Sequence, residues 1–163
     1  MALTAGQVKS VELYSGVESQ VVDMQEGASA TVTSWYKGDI IVTTSGLVSG
    51  VGASGAFTGI ALARATAVDY AKLGIALVDL SAIYLMRMAT ATNSARANIG
   101  EAFGLSWTAG IQRIDTSATT AGSVDVYLVG IYPEDIGVAS AGVDEGRVLV
   151  RFVYDVLAGV SGA

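Results

Sequence analysis

The stretch "GDIIVTTSGLVSGVGASGAFTGIALARA", residues 38–65, carries six glycines in 28 positions. Among them Gly50, Gly52 and Gly55 spell G-x-G-x-x-G. In that spacing small residues let backbone N–H groups close on a pyrophosphate at the amino end of a helix. Asp79 stands 24 residues beyond Gly55, the kind of distance at which an acid takes the ribose hydroxyls of a dinucleotide. The competing reading is mechanical: "TTSGLV" as a hairpin whose Gly46 supplies a positive φ, and "SGVGASGA" as a small-residue loop before a strand "TGIALARA".

The order of glycines, "AFTGIALARATAVDYA" and "KLGIALVDL" resembles the first βαβ unit of short-chain dehydrogenases. Several features depart from it. The strand that should run into Gly50 is interrupted by "TTSG", and Gly59 falls inside the required helix, where glycine is costly. No tyrosine precedes a lysine by four residues, so the catalytic pair of that family is missing. The turn reading is preferred, with no cofactor.

Other chemistry is thinly supplied. The chain has no cysteine and no histidine, which removes thiolate nucleophiles, disulfides, the commonest metal ligand and the commonest general base. A serine nucleophile would therefore have to take lysine as its base. Carboxylate pairs stand at Glu134-Asp135 and Asp144-Glu145, but without an EF-hand-type spacing they read as solvated turn acids rather than a Ca²⁺ site. Neither a catalytic residue nor a metal site is expected. The aromatics Trp35, Tyr36, Trp107 and Tyr132, with Arg147 and Arg151, are the residue types that anchor interfaces, and they are the interface candidates.

The elements that must position these residues are strands. In "RVLVRFVYDV" Val148, Val150 and Phe152 alternate with Arg147, Leu149 and Arg151, the period of a half-buried strand. "SVDVYLVGIY" (123–132) is a second, ending at Pro133, the chain's one proline. Short runs "VKSVELYS", "SQVVDM", "SATVTSWYK" and "GDIIV" are separated by turn signals. Residues 67–89 fit both periods, and the spacing favours two strands broken at 79–81, since Gly74 would weaken a helix. "ATATNSARAN" (89–98) and "DTSATTAGS" (115–123) read as loops. The expected fold is all-β or mainly β: a short-stranded barrel or sandwich with β-clip-like hairpins and extended termini. It is divided as 1–66 and 67–163 or runs as one continuous domain.

Composition bounds the partners. The 163 residues are 52% apolar and only 15% charged, against about 25% charged in a typical soluble domain, so apolar surface is expected to face another chain. Nine Lys plus Arg against 15 Asp plus Glu leave a net charge of -6, which gives no footprint for nucleic acid. The most apolar run, 75–86, is short and holds Asp79, so no membrane span is expected. The amino end has no signal-peptide pattern, which points to assembly in a cytoplasm.

"YKGDIIVTTSGLVSGVGASGAFTGIALARA" (36–65) resembles a pattern in small phage head-decoration, or cement, proteins: a Gly-Asp strand start, a hairpin, a strand of small residues, then Gly-Ile-Ala. The resemblance implies a β-rich virion subunit without enzymatic activity. It would sit as a trimer at local three-fold axes and clamp the major capsid protein of a shell. A self-assembling filament, tube or tail subunit is the alternative, and a dinucleotide-binding enzyme the more distant one.

Overall fold

A computed structural model describes residues 10–16, 20–28, 35–51, 59–89, 98–108, 111–119, 125–133 and 146–153. Among them are eleven strands and no α-helix. Five strands close a small barrel in the order β2 (Val21–Glu26), β4 (Leu47–Val51), β3 (Ile40–Thr44), β5 (Gly59–Ala61) and β6 (Lys72–Ala76). All its pairs are antiparallel except β2–β4. The other six form a sheet in the order β1 (Glu12–Ser15), β7 (Ile83–Arg87), β11 (Arg147–Phe152), β10 (Val126–Ile131), β8 (Ala102–Thr108) and β9 (Ile111–Asp115).

This sheet nearly closes as well. Just past β7, Met88 bridges Ile114 of β9, and the Ala89 N–H donates to the Ile114 carbonyl at 2.8 Å. One edge of β7 is thus shared: β1 lies along residues 83–85, and β9 meets the chain beyond the strand's end.

Strand membership crosses the expected boundary at 66/67. β6, carboxy-terminal to it, completes the barrel, while β1, amino-terminal to it, edges the sheet.

Sequence and burial agree most plainly in β11. In β11 Val148, Val150 and Phe152 are buried and Arg151 is exposed, as period-two alternation requires. Ile40 and Ile41 of β3, and Ile60 and Ala61 of β5, are apolar at successive positions because both faces are covered there. Ile41 and Ala61 enter the barrel core with Trp35, Val48, Leu73 and Ile75. Ile40 and Ile60, paired across the two strands, face the other way into the sheet's core beside Tyr84, Met86, Leu128 and Val150. The wall shared by the two cores joins barrel to sheet.

Two turns follow from residue type. Ser45 and Gly46 both have positive φ, 53° and 80°, which a two-residue hairpin between β3 and β4 demands. After β6 the chain breaks at Asp79–Ser81, where Asp79 Oδ1 accepts the Ser81 N–H (2.8 Å) and Oγ–H (2.7 Å). The region 67–89 is therefore two strands around an Asp-centred turn. By contrast, β8 and β9 carry no expectation from sequence, and "TGIALARA" gives a strand of only three residues before a loop.

Candidate interface on the outer face of the sheet

Of the glycine motif only the first member is described. Gly50 is a buried residue of β4 opposite Val42, and Gly52 and Gly55 lie outside the described residues. Where the βαβ reading needs a helix, residues 59–61 are strand β5. A Cβ on Gly59 would stand 2.5 Å from Ile75 Cγ2 and 2.6 Å from the Ala76 carbonyl oxygen, so this glycine serves close strand packing. Asp79 is engaged by Ser81, and those two hydrogen bonds hold its carboxyl below the usual range. Both carboxylate pairs lie outside the described residues. Ser34-x-x-Lys37 has the spacing of a serine–lysine pair, and Ser34 is outside the described residues too.

The interface candidates separate by location. Trp35 is 0% exposed in the barrel core, so it anchors folding and is corrected from an interface role. Tyr36 lies under the Arg64 guanidinium, 5.0 Å from ring centroid to Cζ. Trp107 is 42% exposed toward the end of β8, opposite Gln112. Tyr132, Arg147 and Arg151 come together on the sheet's outer face.

That face is dictated by register. The inward alternation of β7, β11 and β10 leaves Leu85 and Arg87, Arg147, Leu149 and Arg151, and Tyr127 pointing outward. Arg147 is directly opposite Arg87, Leu149 opposite Leu85, and Arg151 opposite Tyr127. The Arg147 Cζ lies 4.2 Å from the Tyr132 ring centroid, and Tyr14 of β1 meets the same ring edge-on at 6.0 Å. Tyr14 and Tyr127 are about half exposed. Sequence did not reveal Tyr14, Tyr127 or Arg87 as members; their outward parity is readable only once the register is known.

Three of the nine basic residues of an acidic chain therefore share one face. Two of them are paired directly across strands, an arrangement that costs the isolated sheet. Arg and Tyr offer planar, rigid contact area at low entropic cost, the combination found where interfaces concentrate their energy.

A second polar cluster locks barrel to sheet. The buried Gln112 carboxamide accepts the Ile40 N–H through Oε1 and donates through Nε2 to the Ile40 carbonyl at 2.8 Å. Ser10 Oγ accepts the Gln112 N–H (3.0 Å) and donates to Asp39 Oδ1. Asp39 Oδ2 accepts the Tyr36 N–H at 2.9 Å. Burial raises the Asp39 pKa, opposed by the hydrogen bonds from Ser10 and Tyr36. This cluster is consumed by internal partners and is structural.

Comparison with protein-family models, with curated proteins and with solved structures returned no match.

Proposed function

We propose that this chain is a non-enzymatic structural subunit of a virion, made in the host cytoplasm, that decorates and stabilises a capsid shell through many weak contacts. The observation that carries the reading is the outer sheet face, where Tyr14, Tyr132 and Arg147 stack in series beside the Tyr127–Arg151 pair. Such a face suits a partner that presents carboxylates among apolar groups. Support also comes from the charge-poor composition and from the hairpin at Ser45–Gly46, which lies within the stretch that resembles cement proteins. Contacts that are weak singly hold a shell when every copy repeats them.

The test is sedimentation with undecorated shells from the protein's source. The chain is expected to pellet with shells and to stay in the supernatant alone. The filament or tube reading keeps one observation in its favour: β1 leaves a sheet edge uncovered by any other described strand, and an open edge on every copy can propagate. Long polymers of the chain alone, with no affinity for shells, would transfer the proposal to that reading.

A further inference from the structure

The barrel and the sheet diverge along one cross-strand row. Val21 of β2 pairs with Ala76 of β6, Ala76 with Ile60 of β5, and Ile60 with Ile40 of β3. Ile40 and Ile60 are closed into the sheet's core, whereas Val21 at the far end of the row is 57% exposed. The wedge that opens between them is a cleft of about 340 Å³, lined on the barrel side by Ile60, Leu62, Ala76 and Val21 and on the sheet side by Leu13 and Tyr84. Leu62 and Val21 converge over Gly74, where an added Cβ would stand 3.5 Å from Leu62 Cδ1 and 4.0 Å from Val21 Cγ1. Leu13, Val21 and Leu62 are exposed, so the cleft holds apolar surface that the apolar part of a ligand would take out of water. Its volume falls within the range of about 300–1,000 Å³ typical of small-molecule sites.

A single cation stands in this lining. Lys37 precedes Gly38, whose N–H donates to the Ala61 carbonyl (2.8 Å) and whose carbonyl accepts the Val11 N–H (3.0 Å), so Lys37 sits where the start of β1 meets β5. Its ammonium makes no ion pair or hydrogen bond among the described residues. The acid of the lining, Glu12, alternates with Leu13 along β1, lies opposite Leu85 and is already engaged. We propose that the cleft binds a medium-length aliphatic carboxylate, its head paired with Lys37 and its chain laid over Ile60, Ala76 and Val21. Those three residues span two interstrand steps, about 10 Å, which matches an alkyl chain of medium length. The head is anionic because an ammonium set among apolar side chains attracts an opposite charge more strongly than it would in open water. A wedge closed at Ile60 takes the end of one chain rather than a strand running through. The site is independent of docking to a shell, since it lies on the barrel side of the sheet and the arginine–tyrosine face lies on the other.

Calorimetric titration of the full-length protein with decanoate and with decyltrimethylammonium, each below micelle formation and at low salt, tests the assignment. Decanoate is expected to bind saturably at one site, about tenfold or more tighter than the cationic amphiphile, and Lys37→Glu is expected to reverse that order. Leu62→Asp, at a side chain already 37% exposed, is expected to abolish binding while the circular dichroism of the folded chain is kept. Should that variant fail to fold, the parent protein decides: saturation with decanoate is expected to shift the methyl resonances of Leu13 and Val21 and to leave those of Val129, exposed on β10, in place. No saturable binding, equal affinity for the two head groups, or a folded Lys37→Glu protein that still prefers decanoate would overturn the proposal. So would methyl shifts confined to residues outside the cleft, or tighter binding of a leucine-ended peptide than of decanoate, which would make the occupant a protein terminus.

Discussion

The Gln112 carboxamide imitates a neighbouring strand by satisfying both backbone groups of Ile40 in a site closed to water. Gln112→Leu is expected to strand a buried N–H and a buried carbonyl, at about 1–3 kcal/mol each, and to lower the urea midpoint accordingly. Asp39 sets a pH dependence. Burial raises its folded pKa above the ordinary 3.8, so the folded state holds this proton more tightly than the unfolded state does. The contribution is fully present below the unfolded pKa and is lost as pH rises through the raised folded value. Asp39→Asn is expected to flatten the stability profile from about pH 4 upward relative to the parent. Denaturant midpoints across that range check it, and parallel profiles would contradict the assignment.

Among the elements, β5 and β11 give the sharpest expectations. Gly59→Ala puts a methyl against Ile75 and the Ala76 carbonyl oxygen, an overpacking of about 1–3 kcal/mol. Gly46→Ala meets nothing within 4 Å and bears only the strain of its φ of +80°, about 1 kcal/mol. Thermal melts of the two variants should fall in that order. Phe152→Ala is expected to cost about 3–5 kcal/mol, because its ring is buried edge-on to Tyr84 at 5.2 Å. Arg151→Ala should leave stability almost unchanged. β11 was legible in the sequence because one face is core and the other is not, so alternation survives in the residue types. The break at Asp79–Ser81 was legible for a different reason: an Asp followed two residues later by Ser makes its own turn. β8 and β9 were hidden. Gly104, Ser106, Gln112 and Arg113 interrupt their apolar pattern, and the buried Gln112 and Arg113 become intelligible only through long-range packing.

At the scale of the whole molecule, a closed barrel and a curled sheet share the wall of β3 and β5, and the sheet turns an arginine–tyrosine face outward. Residue type nominated the interface candidates, Trp35 wrongly since it is buried in the barrel, and type says nothing of how the others are grouped. Strands β1, β7, β10 and β11 are distant in sequence, and only pairing brings Tyr14, Tyr132, Arg147 and Arg151 onto one surface. The central claim is that this surface carries docking to a shell. Sedimentation isotherms of the parent chain and the double variant Tyr132→Ala/Arg147→Glu on undecorated shells test it most directly, with circular dichroism establishing that both are folded. The double variant is expected to lose affinity by about tenfold or more while Val68→Ala, exposed between β5 and β6 of the barrel, binds as the parent does. Unchanged shell binding by a folded double variant would contradict the claim.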